Sequence, residues 1–247
     1  MTILKNKIAL VTGASKGIGR AIAIALAEEG ASVIINYKTD DQAASAVLSE
    51  CNKYSRGNML IKADVSLEDD VSRLFDEASK STKKIDILVN NAGIFDDRDN
   101  FKSLEAFDNI YQNNFRSVVL MNKYLMKLMK SGKIINISSI NGRLGYGHPG
   151  AIAYSAFKAA LDNYTKNLAK ELAPNILVNA VAPGRTITPM WGEIDEKEQE
   201  RLGQGQLIKR MIKPEEIAQA VVFVAKNDAI CGEIITVDGG MSLVTVG

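Results

Sequence analysis

Short apolar runs recur along the chain at 8–12 (IALVT), 32–36 (SVIIN), 58–63 (NMLIKA), 85–90 (IDILVN), 133–138 (KIINIS), 176–181 (ILVNAV) and 233–237 (EIITV). They are rich in Val and Ile, and clean alternation of apolar and polar positions is mostly missing. That pattern fits strands covered on both faces. Between them lie longer stretches of helical periodicity, at 18–30, 40–54, 67–80, most of 104–130, 151–173 and 214–226. Strands alternating with helices predict βαβ units and a parallel sheet with helices on both sides.

One connection breaks the rhythm. Residues 183–213, PGRTITPMWGEIDEKEQERLGQGQLIKRMIK, are polar and punctuated by glycine. Connections this long in a compact domain are usually functional or mobile, so about 185–213 reads as a substrate lid. No internal repeat or low-complexity linker divides the chain, which reads as a single domain over 1–247.

Composition narrows the function classes. The 247 residues are 46% hydrophobic and 24% charged, as in ordinary globular proteins. The net charge is +1 and no basic stripe stands out, which argues against nucleic acid. The single histidine, His148, argues against a His-based metal site, and no metal is expected. Cys51 and Cys231 are far apart and form no CxxC, as expected in a reducing compartment. The first residues lack the charged, apolar and small-residue sequence of a secretory signal. No apolar run is long enough to span a bilayer. The expectation is a soluble, cytoplasmic protein.

The chemistry starts after the first apolar run, in TGASKGIG at 12–19. Gly13, Gly17 and Gly19 let the chain turn tightly and let an anion approach the backbone. Ser15, Lys16 and Ile18 lie between them, and a helix opens near Gly17, offering unpaired N–H groups to a phosphate. A glycine-rich turn alone is weak evidence. A glycine-rich turn between a buried strand and a helix is the context of a dinucleotide site.

A second constellation is AYSAFKAA at 153–160. On a helix, Tyr154 and Lys158 share a face. By itself such a pair reads as a solvated helix surface. It also suits proton transfer, because a phenol near its free pKa of about 10 is a poor acid at neutral pH. A neighbouring cation stabilises the phenolate and lowers that value.

The TGxxxGxG pattern at 12–19, NNAG at 90–93, the serine pair Ser138–Ser139 and YxxxK at Tyr154 and Lys158 occur together and in order. In this the chain resembles the short-chain dehydrogenase/reductase family, over nearly its whole length. Its motif set is most similar to the 3-oxoacyl-(acyl-carrier-protein) reductases. The resemblance implies a Rossmann-type, doubly wound, parallel seven-stranded sheet with helices on both faces. It also implies a nicotinamide cofactor and hydride transfer to or from a carbonyl.

By resemblance, Tyr154 is the proton donor, and Lys158 tunes it and holds the nicotinamide ribose. Ser139 orients the substrate oxygen, with Ser138 the alternative. Asn114 holds a water of the proton relay, with Asn113 its rival. Asp64 and Val65 match the adenine-binding pair, and Asn90, Ala92 and Gly93 flank the adenosine ribose. Pro183, Gly184, Thr186 and Thr188 hold the nicotinamide amide and the pyrophosphate. The interval from Ser139 to Tyr154, fifteen positions, is longer than the family pattern. The extra length lies in 141–150, which is expected to border the substrate pocket; His148 there reads as solvated.

Asn36, Tyr37 and Lys38 follow the second apolar run, where an NAD site places an acidic residue. With Lys16 and Lys38 in reach of a 2′-phosphate, NADP(H) is expected over NAD(H). Leu120, Leu125, Leu128, Leu161 and Leu168 place apolar residues on more than one helix face. Together with the family's pairing of these helices, they predict a homotetramer.

The expected substrate is a 3-oxoacyl thioester, with an acyl carrier protein as a candidate partner through Lys130 and Lys170. In the lid, Trp191, Met190, Leu202 and Leu207 suggest an apolar channel. Glu193, Asp195, Glu196, Glu198 and Glu200 make its middle acidic, which opposes an acidic carrier. A sugar, polyol, polyketide or other small carbonyl compound stays open. So does a non-catalytic dinucleotide-binding regulator, although the intact serine, tyrosine and lysine favour an enzyme.

Overall fold

The computed structural model describes residues 4–143 and 150–244. His148 and most of the pocket-bordering stretch 141–150 therefore lie outside the described residues. The apolar runs become β1 (Ile8–Val11), β2 (Ser32–Tyr37), β3 (Met59–Lys62), β4 (Ile87–Asn90), β5 (Gly132–Ile137), β6 (Ile176–Pro183) and β7 (Ile234–Val237). They form one 7-stranded sheet in the order β3-β2-β1-β4-β5-β6-β7. Every neighbouring pair is parallel.

The helices are α1 (Gly17–Glu28), α2 (Asp41–Cys51), α3 (Glu68–Ser81), α4 (Leu104–Tyr111), α5 (Ser117–Leu125), α6 (Ile152–Leu172), α7 (Glu196–Gly203) and α8 (Pro214–Lys226). Strand residues alternate between two cores, which explains why their sequences are apolar throughout. In β1, Ala9 and Val11 pack under α1 and α8, while Leu10 packs under α3 and α5. Small residues along α1, including Ala21, Ala23 and Ala27, are fully or nearly fully buried in the first core.

Two departures from the sequence pattern concern function. The stretch 104–130 is not one helix: a π-helical turn, Gln112–Arg116, separates α4 from α5. Such turns add a residue to the helical register and commonly mark functional sites. The lid is also partly ordered, with a short 3₁₀ turn at Pro189–Trp191 and α7 near its centre.

The leucines read as surplus helix surface are core residues of the single chain. Leu120, Leu125, Leu128 and Leu161 are buried, and Leu168 packs against the second core. They carry no argument for an oligomer. The stripe width inferred from the sequence was that of helices lying between the sheet and a neighbouring helix.

Candidate active site

Because the sheet is parallel, the turns after β1, β4, β5 and β6 all leave its carboxyl edge. The strand order reverses between β1 and β4, the switch point where ligands bind in such sheets. Most of the motif residues gather at that edge.

The glycine turn is held from below. Thr12 Oγ1 accepts the N–H groups of Asn91 and Ala92, both at 2.9 Å. Asn91 Nδ2 donates to the carbonyls of Thr12 at 2.8 Å and Gly13 at 3.2 Å. Gly13 and Gly17 have φ of +60° and +56°, a region that side chains rarely adopt. A Cβ on Gly19 would collide with Asn91 and with the Gly13 carbonyl. A Cβ on Gly17 would come within 3.5 Å of Thr188 and Pro189, so the root of the lid faces this turn.

α1 begins after Lys16 without a side-chain cap, leaving its first N–H groups for another acceptor. Lys16 is exposed; Ser15 and Ile18 are half-buried beside it. A close-approach turn, an uncapped helix start and a free cation fit the pyrophosphate of a dinucleotide.

The residues expected around the adenosine are less uniform. Asn36 is buried; its amide accepts from Gly13 N–H at 3.3 Å and donates to Ile61 and Ala63 carbonyls. It braces the turn from inside. Tyr37 is also buried, its hydroxyl on Asp41 at 2.8 Å. Lys38 Nζ lies 2.7 Å from Asp64 Oδ2. Asp64 also accepts the Ser66 N–H and hydroxyl. Burial opposes its charge, but Lys38 and Ser66 win and hold its carboxyl below the usual value. Val65 is buried in the second core.

Asn90 lies deeper than its motif suggests. Its amide donates to Asn122 and Asn136, and Asn136 donates in turn to Thr165 on α6, tying that helix to the sheet. Ala92 packs on the second core, and Gly93 faces Asn114 Oδ1, which a Cβ there would approach to 2.9 Å. Pro183 ends β6, Gly184 N–H donates to Val237, and Thr186 Oγ1 donates to the Gly184 carbonyl at 3.0 Å.

At the end of β5 the two serines separate. Ser139 accepts Asn141 N–H at 3.1 Å, and its hydroxyl is near enough to the Tyr154 phenol to lower its pKa. Ser138 turns toward α6, its hydroxyl donating to the Lys158 carbonyl at 3.4 Å, with Asp162 nearby. Lys158 is buried and donates to the Ile137 carbonyl at 2.8 Å, with Nζ 5.6 Å from the Tyr154 ring centre.

Burial raises the Tyr154 phenol, and the nearby Ser139 hydroxyl offsets part of that rise. Burial pushes the Lys158 ammonium down to about 8, against the pull of Asp162. Near neutral pH the site thus holds a protonated phenol beside a largely protonated lysine.

Asn114 and Asn113 also separate. Asn114 is buried, accepting Ile94 N–H at 2.7 Å and donating to the Ile94 carbonyl at 2.8 Å. Asn113 bonds back along its own helix to Asn109.

Sequence reasoning did not single out Asn91, Phe95 or Asp99. The Phe95 ring meets Tyr154 edge-on, centroids 5.8 Å apart. Asp99 accepts from the N–H groups of Ala153 and Tyr154. The available signal was the polar cluster FDDRDNF at 95–101, placed directly after NNAG.

Comparison with known proteins agrees with this geometry. A family model described as "Enoyl-(Acyl carrier protein) reductase" matches residues 13–242. The 3-oxoacyl-[acyl-carrier-protein] reductase of Synechocystis is 41% identical over 98% of this chain and 99% of its own. That of Aquifex aeolicus is 39% identical over 96% and 98%. A short-chain dehydrogenase from Burkholderia cenocepacia, solved in complex with NADP, superposes with a TM-score of 0.88 at 34% identity, covering 97% of this chain and 99% of that one. With the fold, the motif order and nearly full-length similarity in agreement, the chain belongs to the short-chain dehydrogenase/reductase family and is an oxidoreductase.

Proposed function

We propose that this protein is an NADP(H)-dependent reductase of 3-oxoacyl thioesters. The observation that carries the reading is buried Lys158 under the Tyr154 ring, with Ser139 just past the end of β5, on the same sheet edge as the glycine turn. When bound at that turn, NADP(H) supplies hydride to the carbonyl carbon. Ser139 and Tyr154 hold the carbonyl oxygen, and Tyr154 gives it a proton as the C–O electron pair collects there. The product is a secondary alcohol. Lys158 stabilises the tyrosinate left behind, and Asn114 fixes the segment bordering the relay.

The named activities of the Synechocystis and Aquifex relatives support the thioester, and the NADP in the Burkholderia structure supports the cofactor. Lys130 and Lys170 are exposed, but Lys130 precedes the start of β5 and Lys170 lies in the last turn of α6. Both sit toward the amino edge of the sheet, away from Ser139 and Tyr154, and do not support a carrier at the pocket mouth. The lid's Glu193, Asp195, Glu196 and Glu200 are exposed as well. Met190, Trp191 and Leu207 are exposed lid apolar groups, whereas Leu202 is buried beneath it. We further propose a homotetramer acting in the cytoplasm.

A second reading, reduction of an enoyl thioester, rests on the description of the family model. The test follows NADPH oxidation with acetoacetyl-carrier, acetoacetyl-CoA, crotonoyl-CoA and cyclic ketones. The proposal expects the acetoacetyl thioesters to give the highest kcat/KM. It also expects Tyr154→Phe to lose about 10²- to 10⁴-fold in turnover while binding NADPH normally. A preference for crotonoyl-CoA would establish the enoyl reading, and a preference for cyclic ketones a general ketoreductase.

A further inference from the structure

We infer that Asp99 is a positioning residue for the proton donor. α6 opens at Ile152 with Ala151 as its N-cap, and alanine has no side-chain acceptor. The acceptors come from the connection between β4 and α4. Asp99, 2% exposed, takes the Ala153 N–H on Oδ1 and the Tyr154 N–H on Oδ2, both at 2.9 Å. Its carboxylate also meets the positive end of the helix dipole. Asp99 therefore grips the backbone of Tyr154 itself.

The grip is made from a rigid mount. Asp99 N–H donates to the Asp96 carbonyl at 2.9 Å. The Asp96 carboxylate is held by Arg98 at 2.9 Å and Asn109 at 3.0 Å, and Arg98 reaches on to Glu105. At the other end of the segment, Asn114 clamps Ile94. Between these anchors, Phe95 packs its ring against that of Tyr154. The segment thus fixes the donor twice, at its backbone and at its ring. Proton transfer is steep in geometry, and a displacement of about 1 Å can cost on the order of 10²-fold in rate.

This inference rests on Tyr154 being the donor, and the experiment separates the two. Asp99→Ala, Asp99→Asn, Tyr154→Phe and the Asp99→Ala/Tyr154→Phe double variant are compared for kcat, KM and NADPH affinity. Asp99→Ala is expected to lower kcat by about 10- to 100-fold with NADPH affinity unchanged. Asp99→Asn keeps one accepting oxygen and should fall between Asp99→Ala and wild type. In the Tyr154→Phe background, removing Asp99 should cost nothing more. A folded Asp99→Ala with normal kcat overturns the inference, as does a loss shared equally by kcat and NADPH affinity. If Asp99→Ala fails to fold, Asp99→Asn decides, and a normal kcat there overturns it. Normal turnover by Tyr154→Phe would instead remove the donor assignment itself.

Discussion

The Lys158 ammonium sits under the Tyr154 ring, 5.6 Å from its centre, and donates to the Ile137 carbonyl at 2.8 Å. A charged group in that place is expensive. Its pKa falls from the ordinary lysine value of 10.5 to about 8. Below pH 8 the folded protein keeps a proton that burial disfavours. Between about 8 and 10.5 the unfolded chain binds more protons than the folded one, so stability gained from this group rises with pH.

Lys158→Met should therefore be inactive but more stable at pH 7. At about 1.4 kcal/mol per pH unit, the buried charge costs roughly 3 kcal/mol. Losing the bond to Ile137 takes back about 1 kcal/mol. Urea midpoints for wild type and variant should differ in the variant's favour at pH 7, with the gap closing as pH rises past 8. A variant less stable than wild type at pH 7 would show that the ammonium is better solvated than its burial implies.

Asn114 and Asn113 are adjacent, and only the π-helical turn sorts them. Asn114→Ala removes both bonds to the half-buried Ile94 backbone, a cost of about 0.5–1.5 kcal/mol for each bond. It also frees the segment that carries Phe95, so turnover should fall together with stability. Asn113→Ala loses only bonds to its own helix and should cost less than about 1 kcal/mol. Thermal melts and steady-state rates on both variants check this; equal effects would remove the distinction.

What the sequence carries and what it hides follow from range. β1 through β7 were legible because burial on two faces leaves its mark within a few residues, as in IALV. Tyr154, Lys158 and the glycine turn were legible because each motif is local and its chemistry needs those residue types. Asn36 and Asn90 have the right spacing but spend their amides inside the fold, on Gly13 and on Asn122 and Asn136. Spacing cannot report which way a side chain turns. Asp99 caps a helix through bonds 54 and 55 positions away, and no local pattern records such contacts. The π turn was hidden as well, since its residues keep helical periodicity on either side.

Lys38 and Asp64 pair at 2.7 Å, so the lysine expected to meet a 2′-phosphate is already partnered. The ammonium is more than half exposed, so the pair is weak and exchangeable. We predict that Lys38→Ala lowers kcat/KM for NADPH about 10- to 100-fold and leaves NADH nearly unchanged, the loss of one charge-assisted hydrogen bond. Lys16→Ala should act in the same direction. Asp64→Asn should release Lys38 yet weaken both cofactors, if Asp64 meets adenine as the family resemblance implies. Wild-type protein that prefers NADH, or keeps its NADPH preference in Lys38→Ala, would count against the assignment.

The remaining exposed apolar surface points to assembly. Phe107, Tyr111, Phe115 and Phe157 stack along α4, the π turn and α6, with Phe107 and Phe157 only 5.0 Å apart. Phe107 and Tyr111 are exposed on this ridge, and Phe101 and Leu104 beside it are 81% and 78% exposed. Contiguous exposed aromatic surface of this kind is the type that marks interaction sites, and it supports the proposed oligomer. A second exposed group, Phe223 on α8 and Leu243 near the end of the described chain, lies on other elements. For the proposed homotetramer, two such faces, each meeting its copy across a two-fold axis, would build a tetramer, whereas one face stops at a dimer. Wild-type protein should therefore scatter light as a tetramer. Phe107→Glu and Phe223→Glu should each leave a dimer, and the double variant a monomer. The Phe107→Glu dimer should also lose activity first, because α4 and α6 carry the mount of Asp99 and the Tyr154 helix. A monomeric wild type, or single variants that both remain tetramers, would place the subunit contacts elsewhere.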